Sequence, residues 1–388
     1  MSLRSTLVAL ALVAAACSSV TEANAPTTLP TAVTTTMPIT TVETAVTTTL
    51  PAVPASTHPA SDALDEALAT WAETNAPMGV AAIITSGDET VWQSGAGDPA
   101  ASVDGLFEVG SITKTLVAIT ALRLAEEGRI DLDAPIVGYA ESVAPSPTTT
   151  LRQLLNHTSG LVDPEVEPSL ESLLDLTRIY TPQELVETTL EAVGTLAPGR
   201  YRYSNSGYWL AGATLAEAGD APLEVLIREM VLDPLGLEDT FLAWAEPVPR
   251  PLVPGYVAFT ADGGELPLGT SIIPAMVTGA WSAGGVVSTA SDIAALFNSL
   301  FGGTLLEPAS LAELLELPDG SSYGLGIERR TADGNDAWGH NGVIAGYRSS
   351  AIHDPDTGLT VVVLSNRLRA DFDTEPIASQ LLATAADR

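Results

Sequence analysis

Glu108-Val109-Gly110-Ser111-Ile112-Thr113-Lys114 is the stretch that decides the fold of this chain. Beyond it, Leu116, Val117, Ile119, Leu122 and Leu124 continue an apolar helix that ends at Glu126-Glu127-Gly128, with Gly128 placed as a C-terminal cap. Apolar residues cover most of its circumference, which marks the helix as buried and central. Ser111 and Lys114 stand three apart in its first turn, so they share a face and their side chains meet. The positive end of the helix macrodipole lies there, favouring both a neutral lysine amine and a developing oxyanion. Burial disfavours the charged ammonium as well. A serine hydroxyl beside such an amine is an activated nucleophile. Taken alone, the stretch also fits a capping serine with a lysine that snorkels to solvent.

Composition singles out the same lysine. Of the 16 basic residues in 388, Lys114 is the only lysine and the rest are arginine. Arginine stays protonated, whereas a buried lysine can give up its proton and act as a base. The 48 acidic residues bring the net charge to −32, which argues against nucleic acid or anionic lipid heads as partners. A single cysteine rules out an intrachain disulfide and a cysteine-based zinc cluster. The four histidines, His58, His157, His340 and His353, are scattered and show no His-Glu-x-x-His spacing, so no metal is expected.

Outward from the central helix, Asp62–Glu73 has helical spacing. Gly79–Thr85 and Glu89–Gln93 read as strands joined by the hairpin signal Ser86-Gly87-Asp88. Near the other end, Ala337–Asn341, Tyr347–His353 and Leu359–Leu364 read as consecutive strands, the last two joined by the turn Asp354-Pro355-Asp356-Thr357-Gly358. Asp373–Ala386 closes as a helix. The expected fold is α/β (α+β): an antiparallel sheet built from both chain ends, flanked by helices, with a mostly helical subdomain inserted at roughly 129–285.

The front of the chain is of another kind. In residues 1–17, Arg4 precedes an apolar run from Leu7 to Ala16, too short to span a bilayer, as in a signal peptide. The ending Val13-Ala14-Ala15-Ala16-Cys17 resembles the lipobox of bacterial lipoproteins, whose cysteine is lipidated, although Ala14 stands where leucine is usual. The alternative is an ordinary cleaved signal with an incidental cysteine. Residues 18–60 form a linker: fourteen threonines and six prolines fill half of positions 21–60. Such sequence favours extended polyproline II, a spacer of up to roughly 120 Å. The expectation is an exported protein on the outer face of a bacterial cell membrane, touching the membrane only through an N-terminal lipid anchor.

Two further segments carry chemistry. Tyr201-Arg202-Tyr203-Ser204-Asn205-Ser206-Gly207-Tyr208 puts a tyrosine and an asparagine two apart on a loop, where a phenol can relay a proton and an amide can bond a carbonyl. Trp338-Gly339-His340-Asn341-Gly342 leads a strand whose glycines admit another backbone, or a ligand, to its edge. In this order the three segments resemble the serine β-lactamase and penicillin-recognising family, above all class C β-lactamases, D-Ala-D-Ala carboxypeptidases and related esterases. Leu151-Arg152-Gln153-Leu154-Leu155-Asn156-His157-Thr158-Ser159-Gly160-Leu161, Asp233-Pro234-Leu235-Gly236-Leu237, Ala283-Gly284-Gly285-Val286-Val287-Ser288-Thr289 and Tyr323-Gly324-Leu325-Gly326 extend the resemblance over most of 107–366.

The resemblance implies that Ser111 is acylated, that Lys114 is its basic partner, that Tyr203 shuttles the proton and that Asn205 binds the substrate amide. It implies an oxyanion hole from the backbone N–H groups of Ser111 and Val343, and a substrate-binding third motif at His340-Asn341-Gly342. Class C β-lactamases begin that motif with lysine, a fixed positive charge for a substrate carboxylate; histidine offers a donor and a pH-dependent charge. The departure resembles carboxypeptidases and esterases of the family more than efficient β-lactamases. His157 is expected to be a structural hydrogen-bonder.

Rival readings remain. Ala280-Trp281-Ser282-Ala283-Gly284 is one residue from a nucleophile elbow, with Asp292 and His340 following in triad order. A non-catalytic penicillin- or peptidoglycan-recognising module would also suit a long tether. The leading expectation is a serine hydrolase that forms an acyl-enzyme on a small amide or ester of the cell wall, D-alanyl peptides first among them. No metal or organic cofactor is implied.

Overall fold

The computed structural model describes residues 58–75, 79–97, 101–163, 175–192, 197–258, 264–332, 335–369 and 372–387. The signal-like segment 1–17 with Cys17, and the linker up to residue 57, lie outside the described residues.

The elements that frame the site are, in chain order, α1 (Ser61–Asn75), β1 (Val80–Ser86), β2 (Glu89–Ala96), α2 (Thr113–Glu126), α3 (Asn205–Ala218), α4 (Ala290–Phe301), β3 (Glu328–Ala332), β4 (Asn335–Ile344), β5 (Tyr347–Asp354), β6 (Leu359–Ser365) and α5 (Glu375–Ala386). The six strands form one antiparallel sheet in the order β2-β1-β6-β5-β4-β3. Strands from both ends of the chain thus meet at the centre, β1 lying directly on β6.

Side chains alternate across a strand, and here the alternation divides two cores. On β6, Val361 and Val363 face Leu64 and Leu68 of α1 and Ile377 and Leu381 of α5. Val362 and Leu364 face the other way, into the large core that holds Ile83, Val117 and Ile119 of α2 and Phe297 of α4. All seven residues of β6 are buried, which is why its middle, Val361–Leu364, is an unbroken apolar run rather than an alternating one.

The inserted middle is helical for the most part but not throughout. Gly255–Ala258 and Glu265–Gly269 pair with each other, and the first of them pairs in parallel with Arg367–Leu368. Phe241–Leu242 and Phe107–Glu108 both pair with Val286–Ser288. Strands of two to five residues are too short for a period to show in the sequence. The edge strand β3, Glu-Arg-Arg-Thr-Ala, has no apolar alternation to betray it either.

These small sheets seat the start of α2. Val109 N–H donates to the Val286 carbonyl at 3.0 Å, and the chain then turns through Gly110 into α2, which runs buried to Leu124. At its far end Gly128 adopts φ +69° and Arg129 N–H returns to the Leu124 carbonyl, the capping expected from the sequence. Leu364→Ala, at a fully buried position facing the large core, is expected to lower unfolding free energy by about 2–5 kcal/mol. Urea denaturation at constant m-value checks it.

Candidate active site

Ser111 lies not in the α-helix but in a 3₁₀ turn, Gly110–Ile112, that feeds it. In that geometry residues i and i+3 eclipse, which brings Ser111 over Lys114 more directly than an α-turn would. Lys114 Nζ donates to Ser111 Oγ at 3.0 Å, to Asn205 Oδ1 at 2.9 Å and to the Ala283 carbonyl at 2.6 Å. The lysine is fully buried, so it does not snorkel, while Ser111 is partly exposed. The Tyr203 hydroxyl donates to Ser111 Oγ at 2.9 Å. One serine oxygen therefore receives both the only lysine and a half-buried phenol. Burial pushes the Tyr203 phenol well above its ordinary range, so at neutral pH it rests protonated and is a proton donor.

Val343 reaches the serine by way of a hairpin. Ile344 and Tyr347 flank the two-residue turn Ala345-Gly346, and β4 pairs with β5 from there. The pair that closes a two-residue hairpin is hydrogen-bonded and the next pair is not, so the N–H of Val343 points away from β5. On that outer side β3 pairs with β4 only as far as Gly339. The open edge is filled by the Gly110 turn: a Cβ on Gly110, at φ +51°, would lie 2.7 Å from Val343 N. Only glycine fits, and its fit brings the turn before Ser111 against the Val343 backbone.

His340 and Gly342, which the resemblance implies bind substrate, both make close contacts inside the protein. His340 is buried, and both ring nitrogens are committed within the protein. Nδ1 lies 2.6 Å from the Asn341 carbonyl, which can only accept, so Nδ1 carries the proton; the Tyr323 hydroxyl then donates to Nε2 at 2.7 Å. Burial, followed by the Lys114 charge, pushes His340 down to about 3. It is neutral at physiological pH and offers a substrate neither charge nor donor. Gly342 gives room to the Val109 carbonyl, which would stand 1.9 Å from its Cβ.

His157 behaves as a structural group. Its Nδ1 accepts from Ser204 N–H at 3.1 Å, and its ring packs against Tyr201, Tyr203, Tyr208 and Tyr323. Burial holds its pKa well below the ordinary imidazole range. The rival triad is not assembled: buried Ser282 donates to the Tyr208 carbonyl, Asp292 accepts from Asp239 N–H and Thr240, and His340 bonds to neither.

The sequence reading missed two groups here. The Ala283 carbonyl holds Lys114 through a backbone atom, which no residue type announces. Tyr323, noted only as part of a motif, fixes the His340 tautomer.

With this geometry in place, comparison with known proteins is decisive. The family model described as Beta-lactamase matches residues 64–385. The chain belongs to that family. The chain spans about half to two thirds of the length of the curated relatives it matches. It is similar to esterase EstB of Burkholderia gladioli, 28% identical over 281 residues, covering 65% of this chain and 68% of EstB. It is similar also to the D-alanyl-D-alanine-carboxypeptidase/endopeptidase AmpH of Escherichia coli K12, 27% identical over 226 residues, though that match spans just over half of either protein, 55%. Among solved structures, the D-amino acid amidase of Ochrobactrum anthropi SV3 in complex with D-phenylalanine superposes with a TM-score of 0.71 at 26% identity, over 84% of this chain and 100% of the amidase.

Three residues before Ser111, Glu108 is 3% exposed and its Oε2 has no hydrogen-bond partner among the described residues. Burial raises it from 4.5 to about 8. The folded state therefore holds this proton after the unfolded chain has lost it. Its contribution to stability is present below about pH 4.5 and is lost as pH rises through about 8. Relative to Glu108→Gln, the wild-type chain is expected to lose on the order of a few kcal/mol across that window. Urea unfolding of both proteins from pH 4 to pH 9 tests this, and parallel stability curves would contradict it.

Proposed function

We propose that this family member hydrolyses a small amide or ester through an acyl-enzyme on Ser111, with D-alanyl peptides of the cell wall as the leading substrates. One observation carries the reading: Ser111 Oγ accepts hydrogen bonds from both Lys114 and Tyr203. In the proposed cycle Lys114 first releases the proton it directs at Ser111, and the resulting amine takes the serine proton as Oγ attacks the substrate carbonyl. The oxyanion settles between the amides of Ser111 and Val343. Tyr203 gives its proton to the departing amine or alcohol, and the Lys114 ammonium returns one to the phenolate, so the balance closes. Water repeats the sequence to release the acyl group. With Oδ1 of Asn205 held by Lys114, any bond from Asn205 to a substrate carbonyl is donated by Nδ2.

A second reading, an esterase or amidase whose leaving group carries no carboxylate, is favoured by the neutral, fully committed His340. Class C-type β-lactamase action lacks the third-motif lysine. The likenesses to an esterase, a carboxypeptidase and a D-amino acid amidase support an acyl transfer common to all three. We further propose an envelope location with Cys17 lipidated, on the signal-like residues 1–17 and the proline- and threonine-rich tether.

The test is the intact mass of residues 61–388 incubated with benzylpenicillin, beside Ser111→Ala and beside turnover of a D-alanyl-D-alanine peptide, D-alanine amide and a p-nitrophenyl ester. The leading reading expects a persistent adduct of one penicillin, absent in the mutant, and cleavage of the dipeptide terminus. Cleavage of the amide or ester without the dipeptide moves the assignment to the second reading. Drug loss with no lasting adduct indicates a β-lactamase. No adduct and no turnover of any probe would leave a recognition module.

A further inference from the structure

We propose that Asp163 is the positioning residue that sets Tyr203 onto Ser111 and Asn205 onto Lys114, an inference that rests on the acyl-hydrolase reading of the site. In the sequence Asp163 stands some forty residues before the groups it serves. In the fold its carboxylate meets the start of α3. Oδ1 accepts from Ser204 Oγ at 2.7 Å, from Ser206 N–H at 2.9 Å and from Ser206 Oγ at 2.9 Å. Oδ2 accepts from Asn205 N–H at 3.0 Å.

These amides are among the first of α3 and have no carbonyl partner within the helix, and the dipole there favours a negative charge. Ser204 and Ser206 are buried, so without Asp163 their hydroxyls and two amides lose their acceptor where water does not replace it.

The carboxylate completes a grip on the whole loop. Gly199 N–H donates to the Thr158 carbonyl and Arg202 N–H to the His157 carbonyl, each at 2.8 Å, and Ser204 N–H donates to His157 Nδ1. Held residues thus alternate with the two working ones: Tyr203 lies between Arg202 and Ser204, and Asn205 between Ser204 and Ser206. Rings of His157 and Tyr323, with centroids 4.3 Å and 6.1 Å from that of Tyr203, confine the phenol sideways. Asp163 fixes the backbone level from which the Tyr203 hydroxyl reaches Ser111 and the Asn205 amide reaches Lys114. A misplacement of about 1 Å at such a site costs on the order of 10²-fold in rate.

Asp163→Asn keeps the shape and one acceptor oxygen but aims an NH₂ group at donors. Its kcat/KM on the p-nitrophenyl ester is expected to fall roughly 10- to 100-fold, chiefly in kcat, and Asp163→Ala further. Because Asn205 touches Lys114, the acid limb of the pH–rate profile should move too, which a simple loss of folded protein would not cause. Amide hydrogen exchange at Asn205 and Ser206 should quicken in the Asn variant while exchange in β1 and β6 is unchanged. Wild-type kcat/KM, an unmoved pH profile and unchanged exchange in Asp163→Asn would overturn the assignment. If Asp163→Ala does not fold, the Asn variant carries the test. A failure of the hydrolase reading would show in the wild-type chain itself, and the exchange measurement decides on Asp163 in either event.

Discussion

The buried amine of Lys114 is the constraint on which the site depends. A lysine removed from water must find an oxygen for each of its protons or lose its charge. Three of the oxygens it meets come from separate parts of the chain: the turn before α2, the start of α3, and the Ala283 carbonyl near the end of the inserted middle. Satisfying one nitrogen thus fixes the insert against the sheet domain at the point where chemistry takes place. The same contact sets the lysine nitrogen on Ser111. Stability and reactivity are here two consequences of one burial.

Around that amine the backbone is packed too tightly for side chains. Gly110 lies on Val343, Gly342 on the Val109 carbonyl, and a Cβ on Gly326 would stand 2.5 Å from the Lys114 carbonyl. Each glycine marks a crossing of main chains, and together the crossings hold two amides and one hydroxyl in a fixed relation. Preorganised donors of this kind stabilise charge that develops only in the transition state. The neutral His340, tied to Tyr323 and to its own neighbour's carbonyl, belongs to this scaffolding. A lysine at that position would bring a second amine close to Lys114, whereas the neutral histidine adds no charge there.

Much of this was legible in the sequence because it rests on local signals. Ser111 and Lys114 are three apart on an apolar helix, the five expected sheet strands are rich in β-branched residues or bounded by turns, and Tyr203 and Asn205 sit on a loop after Pro198-Gly199. The fold class and the membership of the family followed from them. What escaped the sequence is non-local. The edge strand β3 is polar, and the small sheets of the insert are held by pairing with segments far away in the chain. His340 looked like a substrate donor because its type permits it; only the Tyr323 and Asn341 contacts show its nitrogens already used. Asp163 gave no signal at all, since its donors lie some forty residues further on.

The central claim is that Lys114 works by giving up its proton, and a chain with one lysine allows this to be observed directly. Labelling lysine with ¹³C at Cε and ¹⁵N at Nζ gives a single side-chain resonance in the untagged protein, to be followed against pH beside the rate of Ser111 acylation. This resonance is expected to pass from ammonium to amine over the same pH range in which acylation rises. A lysine that remains ammonium throughout the range of full activity would contradict it.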